Sequence, residues 1–518
     1  MARFRSSARK RKGKSFLLHK PRGQFSSRVQ AVGPEHFGIV CVDGAKARSK
    51  FLLTDFFGTV LIPPTEFAHD HSSLCAVHQQ LEQARDRHQL RDLLVAIERT
   101  GEYHRPVQRF FRSLDWDVRL VHSFATKHFR QPAAPGNKTD DTDLAAIQRA
   151  TVNGFGLTDP VWPDDYRHLQ FLVRQRRDLT HKTTILSCQI RELLHATMPG
   201  YAECFLNFWK STSAMPLARL TGSAQALRAA GQAGLQRLLA ERHLRSSRPT
   251  LPKILAWADN APPSLPASDH HRLVLDALDD DRLQKLQQIT ALERHSAHYL
   301  ARTPFLLLLV IPGINVVSAA ELAGEMGPPS LYANANAITG RAGLMPSRYQ
   351  SDRVDRASGP LRRSANRRLR AALLQIADNL IRHNHHYQLQ ALKRPDKNPR
   401  WLRVKITKGF SRLLLAMLHS GQVFGHPSCQ TPHAILDKLL DFHCAHATPW
   451  EQVRQDLDAA TAQLPRSRYA AEAQTLSQRL QDLNRRRRPA PQPLSDLIPL
   501  VLARLGVAGL QSSETGPG

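Results

Sequence analysis

Two apolar runs that each end in an acidic residue constrain the fold of this chain more than any other feature. FGIVCVD ends at Asp43 and LLVAIE ends at Glu98, and both have the length and branched side chains of buried strands. Further on, Asp140 and Asp143 in KTDDTD have the spacing that places two carboxylates on one face of a helix. Because an uncompensated buried charge is costly, carboxylates at the ends of central strands indicate a bound cation.

The net charge indicates what such a cation would act on. The 518 residues include 72 Lys or Arg against 44 Asp or Glu, which gives +28 at pH 7. An excess of this size favours a polyanionic partner. Mg²⁺ is bound by a few carboxylates together with waters and substrate phosphates, so no His or Cys ligand is needed. The acids therefore predict two Mg²⁺ ions, for which Mn²⁺ can substitute, and phosphoryl transfer on nucleic acid.

A structural reading of the same acids stays open at this point. Asp and Glu at strand ends also cap helices or pair with Arg, and KTDDTD alone can mark a helix start with Thr139 as its N-cap. The order Asp, Glu, Asp-x-x-Asp on elements of the expected type favours the functional reading for the set.

Cysteine usage and hydropathy exclude several classes of protein. The six cysteines are scattered without a C-x-x-C pair, which argues against a disulfide framework and a zinc module. The sequence contains no 18-residue apolar stretch, so no membrane span is predicted. The basic N-terminus lacks the apolar region of a signal peptide. We expect a cytoplasmic, nucleoid-associated bacterial protein of about three domains.

The first half of the chain predicts an α/β domain over 37–160, preceded by a basic disordered arm over 1–36 that touches nucleic-acid backbone. FGIVCVD, SKFLLTD and GTVLI read as a β-hairpin or meander, followed by a helix over about 71–88 and the strand that carries Glu98. HRPVQRFFRSL then predicts a helix, DVRLVHS a strand, and Asp140 the start of another helix. This order suggests an RNase H-like mixed sheet.

Two long amphipathic segments, 163–197 and 271–300, predict an antiparallel coiled-coil arm within 161–302, with a helical and irregular insert over 198–270. The expected apolar stripes are Leu169, Leu172, Leu179, Leu186, Ile190, Leu193 and Leu194 on the first helix, and Leu283, Leu286, Ile289 and Leu292 on the second.

The remainder predicts a mostly helical domain over 303–424 and a helical extension with a tail over 425–518. FLLLLVIPGINVVSAAELAGEMG has the pattern of a helix-hairpin-helix, in which Gly313 would let backbone amides approach a phosphate. A plain helical hairpin in a core is the alternative. Residues 430–484 read as two or three amphipathic helices, followed by RRRR, a Pro-rich linker and a last apolar helix.

These residues carry a family resemblance. GIVCVD, IERTGEY and NKTDDTDLAAI in the first half, and the IPGI turn, AGLMPSRYQS and SGPLRRSANRRLR in the second, resemble the DEDD-type insertion-sequence transposases, a group of bridge-RNA-guided recombinases. The resemblance covers about 37–424. It implies a RuvC-type RNase H-like domain joined through a coiled coil to a helical transposase domain.

The resemblance also implies a mechanism. By position, the Mg²⁺-binding carboxylates are Asp43, Glu98, Asp140 and Asp143, and the serine that attacks DNA and forms a covalent link is Ser351, with Ser347 as its competitor. A serine hydroxyl needs activation by a base or a metal. The implied partners are donor and target DNA, a structured guide (bridge) RNA and further copies of the chain in a dimer or tetramer. Nearby Arg348, Arg353 and Arg356 would stabilise phosphate charge.

The sequence departs from the family pattern at two positions. Asp352 follows Ser351 where the family usually has Gly, and Ala365 rather than Gly precedes Asn366. Two other functions remain under consideration. One is a metal-dependent, structure-specific endonuclease of the Holliday-junction resolvase kind, which uses the acids and water without a serine. The other is a nucleic-acid-binding protein with a decayed site.

Overall fold

The structure, a computed structural model, describes residues 23–131, 136–266, 268–347, 349–351, 354–356, 359–362 and 365–464. The chain divides into two compact units, Met1–Val161 and Trp162–Gly518. No helix in the described ranges is long and apolar enough to cross a membrane.

The first unit contains a six-stranded mixed sheet in the order β3-β2-β1-β4-β5-β6. β1 pairs antiparallel with β2 and parallel with β4, and β4 pairs parallel with β5. The α/β class predicted from the sequence is observed here. The strands are β1 (Phe37–Asp43), β2 (Arg48–Asp55), β3 (Val60–Ala68), β4 (Asp92–Arg99), β5 (Val118–His122) and β6 (Gly156–Thr158), and the helices are α1 (Ser26–Val32), α2 (His71–Arg87), α3 (Arg105–Ser113), α4 (Ser123–Arg130) and α5 (Asp140–Val152).

The predicted disordered arm over 1–36 is wrong for its last part. α1 lies in this region, and Phe25 and Val29 are buried in the core on one face of the sheet. Phe25 stacks on Phe37 of β1 with ring centroids 5.1 Å apart. Phe25 and Val29 are spaced four apart and give this segment one apolar face, which the strongly basic composition of residues 1–22 concealed. Residues 1–22 lie outside the described residues. α4 and β6 were not predicted.

The second unit begins with two long helices, α6 (Asp164–Thr197) and, after an insert, α10 (Asp269–Leu300). They run antiparallel, because Leu169 near the start of α6 shares a core with Leu300, whereas Ile190 near its end shares one with Leu275. The insert packs around an apolar core that it shares with α6 and α10, and it contains α7 (Ala214–Thr221), α8 (Ala224–Ala240) and α9 (Thr250–Asp259), with 3-10 turns at Tyr201–Cys204 and Phe208–Lys210.

The predicted stripe on α10 is wrong in part. Leu283 and Leu286 are 41% and 39% exposed, whereas the polar residues Asp279 and Arg282 are buried. Arg282 donates from Nε and Nη2 to Asp279 Oδ1 at 2.9 and 2.7 Å. This pairing lets polar side chains occupy positions that the periodicity of leucines would assign to solvent.

The remaining described residues of the second unit surround one large apolar core. The first segment of the predicted helix-hairpin-helix is a 3-10 helix, Pro304–Val310, followed by α11 (Val316–Met326). Gly313 has φ 91°, and a Cβ there would lie 2.7 Å from the Asn379 carbonyl oxygen. The close approach at Gly313 is therefore to the protein's own backbone. The other elements are the 3-10 turn Pro329–Leu331, α12 (Ala335–Arg341), β7 (Tyr349–Ser351), β8 (Val354–Arg356), α13 (Arg367–His383), α14 (His385–Leu392), α15 (Pro399–Ser420), α16 (His433–Ala445) and α17 (Trp450–Gln463).

The predicted extension over 425–518 is part of this core as far as it is described. Leu439 of α16 and Leu457 of α17 are fully buried against the same apolar residues as α11 and α13. Residues 465–518, which include the predicted Pro-rich linker and last helix, lie outside the described residues.

Candidate active site

Strand register places Asp43 beside Glu98. The parallel pairing of β1 with β4 runs up to Val42 opposite Ile97, so the two acids occupy the next position on neighbouring strands. Such strands lie about 4.8 Å apart. Val42 and Ile97 belong to the core on one face of the sheet. Because side chains alternate along a strand, Asp43 and Glu98 belong to the opposite face.

Helix α5 covers that opposite face and brings the other two acids. Its Leu144 and Ile147 pack with Ile39 and Cys41 of β1. The first turn of α5 carries Asp140, Asp141 and Asp143, where negative charge is stabilised by the helix dipole. Thr139 is the N-cap in a capping box with Thr142. The threonine therefore caps the helix, and the acids do not.

The four predicted acids form one electrostatic group. Burial raises the pKa of Asp43, and the negative charges of Asp143 and Asp140 raise it further. Burial also raises the pKa of Glu98; a hydrogen bond with the Ser123 hydroxyl lowers it, and the charges of Asp43 and Asp143 raise it. Glu98 and Asp143 are buried, whereas the Asp140 side chain is 64% exposed and lies at the solvent edge of the group.

Two cationic side chains that the sequence did not indicate pair with this group. Lys50 lies directly opposite Asp43 in the pairing of β1 with β2. Its Nζ is 3.6 Å from Asp140 Oδ2 and 3.3 Å from Asp141 Oδ1. Arg130 at the end of α4 forms an ion pair with Asp143. The position of Lys50 opposite Asp43 could have been predicted by counting residues on both sides of the predicted hairpin turn. Arg130 could not, since α4 was not predicted.

The donor chemistry of the group fits a divalent cation. All four acids offer carboxylate oxygens, the ligands that Mg²⁺ prefers. Their mutual repulsion, seen in the raised pKa values of Asp43 and Glu98, is what a bound cation relieves. As the described side chains stand, no three His, Cys, Asp or Glu converge to hold a metal ion. Asp143 pairs instead with Arg130, and Asp140 with Lys50.

The predicted serine lies on a small β-hairpin in the second unit. Ser351 is the last residue of β7 and pairs with Val354 of β8, so it ends a strand rather than lying within a loop. Its side chain is exposed. Arg348 and Arg353 lie outside the described residues, and so does the side chain of Arg356. The competitor Ser347 donates its hydroxyl to the Pro360 carbonyl oxygen at 3.0 Å and is therefore engaged.

A buried network anchors the helix that follows this hairpin. Asn366 caps α13, accepting at Oδ1 from the backbone N–H groups of Arg368 and Leu369 at 3.0 Å each. Its amide donates to Glu325 Oε2 at 3.4 Å. Arg174 of α6 donates from Nε and Nη2 to the two oxygens of that carboxylate at 2.9 and 3.1 Å. The long helix α6 and the start of α13 thus share one buried carboxylate.

Comparison with known families identifies the chain. A DEDD transposase model of the IS110 group matches residues 40–199. A second model, described as the transposase IS116/IS110/IS902 family, matches residues 306–393. The chain belongs to the IS110 family of DEDD transposases. This confirms the identification as a DEDD-type insertion-sequence transposase that was made from the motifs. Among curated proteins, none matches the chain.

The two matches divide the candidate residues of this IS110-family transposase between them. The first includes Asp43, Glu98, Asp140 and Asp143, and the second includes Ser351. The transposase is therefore a DNA-binding and DNA-processing enzyme, and its DEDD domain implies dependence on a divalent metal ion. Residues 200–305 and 394–518 lie outside both matches.

Proposed function

We propose that this transposase cuts and rejoins DNA through attack by Ser351 on a phosphodiester, with a covalent protein–DNA intermediate. The observation that carries the proposal is the register of β1 and β4 together with the position of α5, which gathers Asp43, Glu98 and Asp143 at one edge of the sheet. The exposed side chain of Ser351, within the second family match, supports its role as the nucleophile.

Two Mg²⁺ ions would serve as the cofactor of this reaction, and Mn²⁺ could replace them. Asp43, Glu98, Asp140 and Asp143 would hold the metal, which would neutralise charge on the phosphate and lower the barrier to attack. When the serine oxygen bonds to phosphorus, a base takes the hydroxyl proton and the deoxyribose 3′ oxygen leaves with a proton. The serine phosphodiester keeps the bond energy, so attack by another 3′ hydroxyl rejoins the strand without net hydrolysis.

A structured guide RNA, encoded beside the element, would select donor and target DNA by base pairing. The protein would then read the backbone and shape of that RNA, and the net charge of +28 suits two polyanionic partners. The enzyme would act on the bacterial nucleoid as a homo-oligomer, a dimer or a tetramer. Phe171 and Leu273, which are 73% and 69% exposed on α6 and α10, support a contact between copies along these helices.

Replacing the serine separates the candidate functions. Ser351→Ala should abolish both recombination and a denaturant-stable protein–DNA adduct on nicked suicide substrates, and Ser347→Ala should retain both. The wild-type adduct should map by mass spectrometry to the peptide PSRYQSDR.

Three outcomes would contradict the proposal in different ways. If Ser351→Ala continues to cleave and releases free 5′-phosphate and 3′-hydroxyl ends, the protein is a hydrolytic endonuclease. If the wild type binds nucleic acid but neither cleaves nor recombines it, with or without EDTA, the protein only binds nucleic acid. An adduct on Ser347 would assign the nucleophile to that residue.

A further inference from the structure

One exposed face of α15 carries a row of cations that ends at a groove. Trp401, Lys405, Lys408 and Arg412 are spaced four, three and four residues apart, so they follow one another along a single side of the helix over about 16 Å. Lys405 and Arg412 are exposed, and Trp401 is 44% exposed. We call these four residues the α15 face.

The charge of this region is strongly one-sided. Residues 393–412 contain eight Lys or Arg and one acid, Asp396. Asp396 pairs with Lys397 at 3.0 Å, and Arg403 pairs with Asp378 at 2.5 Å. Within the described part of the chain, none of Lys405, Lys408 and Arg412 forms an ion pair. The α15 face therefore presents cations without compensating protein charge, as a surface for a polyanion does.

The groove at the end of this face offers ring surfaces together with polar groups. It has a volume of about 380 Å³, and its lining includes His386, Gln390, Gly409, Arg412 and His426. The two imidazole rings lie 5.0 Å apart at 73°, and Gln390 Nε2 lies 2.8 Å from His386 Nε2. A Cβ at Gly409 would have no atom within 4 Å, so the helix backbone is open to the groove there.

At the other end of the face, Trp401 provides a second ring. The Arg394 guanidinium lies 5.5 Å from the centre of its indole ring, which holds the ring from one side and leaves it partly exposed. Ring, row of cations and groove thus follow one another along one helix. This is the arrangement of proteins that track the backbone of a single strand with cations and stack its bases on aromatic side chains.

We propose that the α15 face and its groove bind an unpaired segment of nucleic acid, with the phosphates along Lys405, Lys408 and Arg412 and bases against Trp401 and within the groove. An unpaired strand is favoured over a duplex because a duplex buries its base faces in its own stack and could use only the cations. The site depends on neither the four acids nor Ser351, and all of α15 lies outside both family matches.

Binding measured without cleavage tests this site separately from the proposed chemistry. Labelled 20-nucleotide oligo-dT, labelled oligo-U or a labelled 20-base-pair duplex is titrated with full-length protein in EDTA. Fluorescence anisotropy is recorded at several salt concentrations. Trp401→Ala should weaken binding of a single strand by about tenfold. Arg412→Ala should reduce the slope of log affinity against log salt by about 0.7. Duplex binding should change much less in Trp401→Ala, because a duplex could use only the cations.

Matched substitutions elsewhere serve as controls. Phe57→Ala removes an aromatic ring that is 72% exposed, and Arg242→Ala removes an exposed arginine; both should bind single strands as the wild type does. Binding of a single strand should quench tryptophan fluorescence in the wild type and less so in Trp401→Ala, and Trp401→Phe should restore most of the affinity. Equal thermal unfolding of all variants shows that folding is intact.

The comparison of strands identifies the source of the ligand. Preference for oligo-dT would assign the site to DNA strand displaced during recombination, preference for oligo-U would assign it to RNA, and equal binding supports the shared chemistry. Wild-type affinity in both Trp401→Ala and Arg412→Ala would overturn the proposal, and so would a loss in Trp401→Ala that is as large for duplex as for single strands. Neither of these results would alter the outcome of the Ser351 experiment.

Discussion

At the scale of single residues, the ion pair of Arg130 with Asp143 stabilises a buried carboxylate in the absence of metal. The two side chains are only 15% and 6% exposed. Arg130→Ala should therefore destabilise the protein in EDTA by about 3 kcal/mol, because a buried charge loses its partner. Urea unfolding measures the change. Saturating Mg²⁺ should recover part of the loss, since a ligand that binds only the folded state stabilises it.

Two further variants control this measurement. Adding Asp143→Asn to Arg130→Ala should restore most of the stability, because the uncompensated charge is then gone. Arg85→Ala breaks a more exposed pair with Glu82 on α2 and should change stability by less than about 1 kcal/mol. If Arg130→Ala is as stable as the wild type in EDTA, the pair does not compensate Asp143.

The acids themselves predict a pH dependence. The pKa of Asp43 is raised in the folded state, so the folded protein binds more protons than the unfolded chain, and the stability of the metal-free protein falls as pH rises through that window. Asp43→Asn removes the charged carboxylate that causes this fall in stability. In EDTA the Asp43→Asn protein should be more stable than the wild type, by more at pH 7.5 than at pH 5, and its recombination activity should be abolished.

An acid with the opposite shift provides the control. Hydrogen bonds from Ser72 and Ser73 lower the pKa of Asp70 to about 2, so its charge favours the folded state at neutral pH. Asp70→Asn should accordingly show no gain at pH 7.5. A destabilised Asp43→Asn protein at pH 7.5, or one with full activity, would contradict the assignment of Asp43 to a crowded acidic site.

At the scale of elements, helix packing in the second unit depends on a glycine within α11. A Cβ on Gly324 would lie 2.9 Å from Val173 Cγ2 and 3.0 Å from the backbone nitrogen of Gln170, both in α6. Alanine is the better helix former by about 1 kcal/mol, but the clash is partly with backbone, which cannot turn away. Gly324→Ala should therefore lower the thermal midpoint.

The same substitution in an open position is the matched comparison. A Cβ on Gly409 of α15 would meet no atom within 4 Å, so Gly409→Ala should gain up to about 1 kcal/mol from helix propensity alone. Equal and stabilising effects of the two substitutions would show that α6 and α11 can separate to make room.

At the scale of the whole molecule, we expect α16 and α17 to be needed for the second unit to fold. Ile435, Leu439 and Leu457 are fully buried in its main core. Burial of each such side chain contributes about 1.5–3 kcal/mol. Losing both helices would therefore remove much of the free energy of unfolding, which is about 5–15 kcal/mol for a typical domain. A chain that ends at residue 424 should express as insoluble protein.

Point variants give this prediction a magnitude. Leu439→Ala should cost about 2–5 kcal/mol in urea unfolding, whereas Leu206→Ala, at a fully exposed position, should change stability by less than about 0.5 kcal/mol. A soluble, cooperatively unfolding chain of residues 1–424 would show that the core closes without α16 and α17.

What the sequence determined by itself was local and periodic. The length and branched side chains of two apolar runs predicted β1 and β4, Asp140 marked the start of α5, and the motifs of both halves led to the family. Three- and four-residue spacing predicted α6 and α10 almost to their ends. These features depend on contacts within a few residues, so they can be read without knowing what else the chain packs against.

Only the tertiary structure decided which side chains face each acid and which segments join a core. Arg130 meets Asp143 because α4 lies beside α5, and α1 is ordered because the sheet offers Phe25 a partner in Phe37. Likewise, Asp279 and Arg282 are buried because they pair, while Leu283 and Leu286 remain exposed. Burial is a property of the partner surface as much as of the residue, and partners that are distant in sequence meet only when the chain has folded.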